Sequence, residues 1–95
     1  MGQAVARLGD SSAGHCFSPR GNISGSGNVF INGIAAHRVG DKWPTHTCGN
    51  SSHASTTSQG SSTVFVNGVA LARVGDKLDC GDTISQGSSS VFAGG

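Results

Sequence analysis

Large apolar β-formers come in short clusters along this 95-residue chain, each followed by a polar turn and a return of small residues. The fullest copy is Val29-Phe30-Ile31-Asn32-Gly33-Ile34-Ala35-Ala36-His37-Arg38-Val39-Gly40-Asp41. Asn32-Gly33 is a pair that tolerates positive φ and suits a two-residue hairpin turn. The pattern predicts a hairpin over about Val29 to Val39, closed by a Gly-Asp corner. Val64 to Asp76 repeats it 35 positions on, with Asn67-Gly68 at the turn. Ala4 to Asp10 copies the return half, and Val91 to Gly95 copies the outgoing half. Joined, the two halves make a third unit. A single unit is too small to bury its own apolar face, so three are expected to stack about a common axis.

Between these units the pattern is weak. Ile23, Thr56 to Ser58 and Thr83 to Ser85 suggest short strands, and Lys42 to His53 reads as the longest irregular stretch. No window places apolar residues at i, i+3, i+4 and i+7, so helices are not expected. The chain reads as one all-β domain over 1–95, near the size where burial becomes marginal.

Composition changes this picture little. With 16 Gly and only 35% apolar residues the chain could pass for a linker, but a charged fraction of 12% and the regular Val-Phe spacing argue against disorder. Net charge is +1, and the six basic residues are scattered, which gives no footprint for nucleic acid. No run is apolar enough for a membrane span, and the N-terminus lacks the basic and apolar regions of a secretory signal.

Candidate chemistry lies after the corners. Three Cys (16, 48 and 80) are an odd count for a disulfide framework, and four His (15, 37, 46 and 53) accompany them. His15 lies five residues past Asp10, His46 five past Asp41, and Cys80 four past Asp76. About a pseudo-threefold axis, these three would converge. A tetrahedral zinc then needs a fourth ligand that breaks the symmetry. The longer middle unit carries two candidates, and His53 is preferred to Cys48 because the intervening Gly-Asn-Ser-Ser can fold back to present it. The expected set is His15, His46, His53 and Cys80, a closed structural site holding one zinc, with Cys48 as the alternative ligand. Cys16 reads as a free, partly buried thiol and His37 as a surface or packing residue. Trp43 is expected to pack beneath the metal loop. Arg7, Arg38 and Arg73 recur with Asp10, Asp41 and Asp76. Three identical pairs suit structure better than catalysis, and each Arg is expected to fix one repeat against the next.

With these repeats, the V-F-x-N-G hairpins, the A-x-x-R-V-G-D corners, the His after the first corner and Cys80-Gly81 after the last, the chain resembles the PAAR-repeat proteins. These cap the spikes of type VI secretion systems and contractile phage tails. Ala4, Ala35 and Ala70 stand where the family carries its namesake Pro. The resemblance implies a small conical fold of three hairpin units. Its base would dock on a trimeric β-helical spike, one cap chain per trimer, and its apex would be held by zinc through three His and one Cys. It implies a structural tip rather than an enzyme. Such a tip meets the target-cell membrane during puncture, sits on the virion tail or is exported through the injection apparatus, and binds neither nucleic acid nor a small-molecule substrate. The absence of any extension beyond the third repeat reads as a bare tip. Two rivals are weaker. A small zinc hydrolase needs an open coordination site and an acid/base group, and the chain has no Glu. A Ser/Thr-rich β-solenoid surface binder needs even ladders of Thr, and those here are few and uneven.

Overall fold

The computed structural model describes residues 2–14, 20–48 and 51–95, and for 46–48 and 51–53 the backbone alone. Every strand in it is short: β1 (Gln3–Ala4), β2 (Phe30–Ile31), β3 (Ile34–Ala35), β4 (His46–Cys48), β5 (Ser51–His53), β6 (Phe65–Val66), β7 (Val69–Ala70) and β8 (Phe92–Ala93). They pair antiparallel as β2–β3, β4–β5, β6–β7 and β1–β8. Both Asn-Gly turns form as expected, with φ of 54° at Asn32 and Asn67 and 78° at Gly33 and Gly68. The third hairpin is assembled from the two ends of the chain. Ala93 pairs with Gln3 and Phe92 with Ala4, in the register by which Ile31 pairs with Ile34 and Phe30 with Ala35.

The return strands end earlier than the expected hairpin bounds, at Ala4, Ala35 and Ala70. After two ladder residues each return segment leaves its hairpin partner and bonds to the next unit. Arg7 bridges to Ala36, Arg38 to Leu71, and Arg73 to Val5, a cyclic permutation of one contact. At the axis the ring is tighter. His37 N–H donates to Ala6 C=O at 3.1 Å, Ala72 N–H to His37 C=O at 3.0 Å, and Ala6 N–H to Ala72 C=O at 3.0 Å. Outside it, Leu8, Val39 and Val74 N–H donate to Ala35, Ala70 and Ala4 C=O at 2.8–2.9 Å. The three units are therefore joined by main-chain bonds, which satisfy the small-residue segments that the hairpins leave open.

Two apolar layers stack around this ring. One holds Val5, Ala36, Val66, Leu71 and Ala93, with Val29, Ile31 and Val91 against it. The other holds Ala6, Trp43, Ala72, Leu78 and Ile84, with Val74 and Cys80 against it. The three corners turn through Gly9, Gly40 and Gly75, with φ of 88–94°, where a Cβ would be strained. Each corner is closed within its own unit. The Arg guanidinium donates to both carboxylate oxygens of the Asp three residues on, through Nε at 2.9–3.0 Å. The Arg main-chain N–H bonds the same carboxylate. The carboxylate partner is thus local and not the neighbouring unit's. The reach across units comes from the remaining guanidinium nitrogen: Arg38 to Asn67 Oδ1 at 3.0 Å, and Arg73 to Gly94 C=O at 3.0 Å. Burial alone would push the Asp41 carboxyl up, but the bonds from Arg38 and Ser24 outweigh it and hold it below its ordinary range.

A repeated Gly-Ser box sets the outgoing strands. Ser26, Ser61 and Ser88 hydroxyls each accept two main-chain N–H groups from the residues two and three ahead. Each also donates to the turn of another unit: Ser26 to Asn67 Oδ1, Ser61 to Gly94 C=O and Ser88 to Asn32 Oδ1, at 2.5–2.6 Å. The glycines before them lie against passing main chain. A Cβ on Gly60 would meet Leu71 C=O at 2.9 Å and Val39 Cγ2 at 2.9 Å, whereas one on Gly27 would meet nothing within 4 Å. Gly60→Ala is therefore expected to cost about 1–3 kcal/mol by overpacking. Gly27→Ala should stay within about 0.5 kcal/mol. Urea midpoints at unchanged m-value check both; equal midpoints would refute the close approach.

Candidate functional site

Beyond the corners the chain makes a third ring of pairings, and from it rise the three loops that carry the expected ligands. Thr56 bridges to Lys42, Thr57 to Leu78, Ile84 to Ser12 and Gly21 to Ser11, and Lys77 to Thr83. One rung recurs in every unit: Ser12 N–H donates to Arg20 C=O, Trp43 N–H to Ser55 C=O, and Leu78 N–H to Asp82 C=O, all at 2.9 Å. The residues enclosed by these rungs are 13–19, 44–54 and 79–81. Three equivalent roots thus support loops of very different length, and every His and Cys of the expected set lies in one of them.

The middle loop departs from its predicted irregularity. It contains the antiparallel pair β4–β5, in which His46 stands opposite His53, Thr47 opposite Ser52, and Cys48 opposite Ser51. This register joins His46 to His53 and sets Cys48 one pairing further out. The side chains of all three, and the whole of His15 and Cys16, lie outside the described residues. Cys80 occupies a three-residue turn closed by Gly81 N–H to Leu78 C=O at 3.0 Å. It is partly buried against the layer of Trp43, Leu78 and Ile84.

Trp43 packs under this region as expected. Its indole N–H donates to Thr57 Oγ1 at 2.9 Å, and its ring meets His37 edge-on with centroids 5.4 Å apart. His37, one of the two readings offered for it, is a packing residue: it is fully buried, at the position where the other units carry Ala6 and Ala72. Its Nδ1 lies 2.8 Å from Ser24 C=O and its Nε2 lies 2.7 Å from Thr57 Oγ1. A carbonyl only accepts, so Nδ1 carries the proton. The Thr57 hydroxyl then donates to Nε2 and accepts from Trp43, a chain complete only when His37 is neutral. Burial pushes the His37 pKa below 6.5, against smaller opposing contributions from Ser24 C=O and Asp41.

The opposite end of the frame carries a feature absent from the sequence reading. Phe30, Phe65 and Phe92 occupy the same hairpin position in the three units, and each is 57% exposed. Their strand neighbours Val66 and Ala93 are buried, and Ile31 packs against the same layer. Ile34, Val64 and Val69 add further exposed apolar surface. The Val-Phe pairs marked these positions in the sequence, but alternation alone did not say which member faces outward.

A family model for the PAAR motif matches residues 13–86, most of the chain and all three of the loops that rise from the rungs. The chain belongs to the PAAR-motif family. Comparison with individual curated proteins finds no match. Family membership makes this PAAR chain a spike-tip-related protein of secretion and phage systems, and that family is structural. The pseudo-threefold, helix-free arrangement of the described residues agrees with a small all-β PAAR fold. No helix among them is long and apolar enough to cross a membrane.

The neutral requirement at His37 gives a pH prediction. Its folded pKa lies below that of the unfolded chain, so as pH falls below about 6.5 the unfolded state takes up the proton first and stability drops. The loss continues until pH passes the folded pKa. The melting temperature of the protein is expected to fall from pH 7 to pH 5 more steeply than that of His37→Ala, followed by circular dichroism; parallel curves would refute it.

Proposed function

We propose that this PAAR protein caps a trimeric spike with one chain per trimer and is pinned at its opposite end by one structural zinc. The observation that carries the docking half is the set of three phenylalanines. A single chain presents the same exposed ring in three equivalent hairpins, which matches a partner with three equal subunits. Exposed apolar patches of this kind mark interaction surfaces. The strand edges beside them can accept main-chain bonds from a β-helix end.

The metal half rests on the donor set and its placement. His15, His46, His53 and Cys80 would supply three imidazoles and a thiolate, the composition of a closed tetrahedral zinc site. Support comes from the opposition of His46 and His53 and from the common roots of the three loops. A structural ion of this type contributes on the order of 10 kcal/mol of folding free energy in small domains. It would stiffen the end where two of the three loops are long and the core is thin. Four protein ligands leave no open position for water, so this arrangement opposes hydrolysis and favours a mechanical tip.

Elemental analysis tests the metal: about one zinc per chain is expected, lost in His53→Ala and kept in Cys48→Ala. Retention in His53→Ala with loss in Cys48→Ala would exchange the fourth ligand. No stoichiometric metal in any sample would end the zinc reading. The docking half is tested by native mass spectrometry with the trimeric spike of the same machine, where one chain per trimer is expected. Burying what remains exposed of each Phe is worth about 1 kcal/mol. Phe30→Ser, Phe65→Ser and Phe92→Ser together should therefore weaken binding by about a hundredfold while zinc content stays constant. Unchanged affinity would move the docking face elsewhere.

A further inference from the structure

Three buried side-chain atoms among the described residues lack a hydrogen-bond partner: Ser12 Oγ, Ser55 Oγ and Asp82 Oδ2. All three belong to the rungs from which the ligand-bearing loops rise. Asp82 matters most, because it is charged and only 2% exposed. Its Oδ1 is well used, accepting Gly14 N–H at 2.9 Å and Thr83 N–H at 2.8 Å. Its Oδ2 accepts nothing. The other buried carboxylates differ: Asp10, Asp41 and Asp76 each bond a guanidinium through both oxygens. A buried carboxylate oxygen left without a donor costs several kcal/mol or more, so this one is expected to have a use.

Asp82 stands where such a use is available. Its Oδ1 bond fixes the main chain at Gly14, the residue before His15, and Asp82 lies two residues past Cys80 in a tight turn. Histidines that hold a metal through one ring nitrogen nearly always donate the other N–H to a carboxylate or carbonyl, which sets the tautomer and the ring orientation. We propose that Asp82 is the positioning residue of the metal centre, its Oδ2 accepting the free ring N–H of a ligating histidine, the candidate being His15, next in sequence to the Gly14 that Asp82 holds. This inference rests on the zinc reading above. Asp82 itself is not a ligand: it ties the first loop to the third through Gly14 and orients an imidazole through its second oxygen.

Asp82→Asn separates these two tasks, because an amide oxygen still accepts Gly14 and Thr83 N–H while its NH2 group cannot accept from an imidazole. Zinc affinity, read by competition with a chromogenic chelator, is expected to fall about 10- to 100-fold, with an unchanged far-ultraviolet spectrum in excess zinc. Wild-type affinity in Asp82→Asn, or tighter binding through relief of a buried charge, would overturn the role. If Asp82→Asn fails to fold, the zinc-loaded wild type decides. A second histidine ring N–H protected from solvent exchange, in addition to that of the buried His37, is expected in 15N-resolved imidazole spectra, and its absence overturns the proposal. Wild-type protein without stoichiometric zinc would instead overturn the metal reading itself, so the two failures are distinct.

Discussion

Three main-chain hydrogen bonds, from His37 to Ala6, Ala72 to His37 and Ala6 to Ala72, hold the structure together at its axis. None of them can form within one unit. Each joins segments at least 31 residues apart, and the ring closes only when the first and last thirds of the chain meet. Loop-closure entropy must be overcome before any of this is gained, so assembly is expected to be slow for so small a chain and strongly all-or-none. The requirement explains the small residues at the axis. Ala6 and Ala72 let three main chains approach one another, and the single larger residue there, His37, is accommodated because its ring leaves the axis for Ser24 and Thr57.

The ring also divides the labour between the two ends. On one side hairpins of fixed length repeat almost without change, because each is hooked by a serine to the turn of another unit and any extra residue would lose the hook. On the other side the loops between equivalent rungs range from three residues to eleven. Their roots are fixed by the frame while their lengths are free. A threefold frame thus supports, at one end, hairpins that retain the symmetry and, at the other, loops that break it.

The polar column of His37, Thr57 and Trp43 shows the same economy in the middle unit. The corresponding residues of the last unit are Ala72, Ile84 and Leu78, an apolar solution to the same space. Trp43 begins the longest loop, and its indole is fixed by Thr57 on the far side of that loop's root. The unit with most chain to restrain is thus the one with an additional buried hydrogen-bonded chain beneath it.

Much of this was legible in the residues themselves, because repetition makes local signals additive. Two intact copies and two half copies of one motif determined the number of units, the Asn-Gly turns, the Gly-Asp corners and the junction of the two termini. The distances from corners to His15, His46 and Cys80 marked the loops that rise from one ring. The Gly-Ser pairs before Val29, Val64 and Val91 were equally regular, but a serine among many carries no visible partner until the chain is folded. Tertiary structure alone decided the rest. It cut the return strands short, because their hydrogen bonds are worth as much to a neighbour as to the hairpin partner and only the neighbour completes the ring. It turned the Phe of each Val-Phe pair outward and buried His37. It also paired His46 with His53 in a stretch without strand periodicity, and left one oxygen of Asp82 unmet, since these depend on which segments meet and not on what either contains.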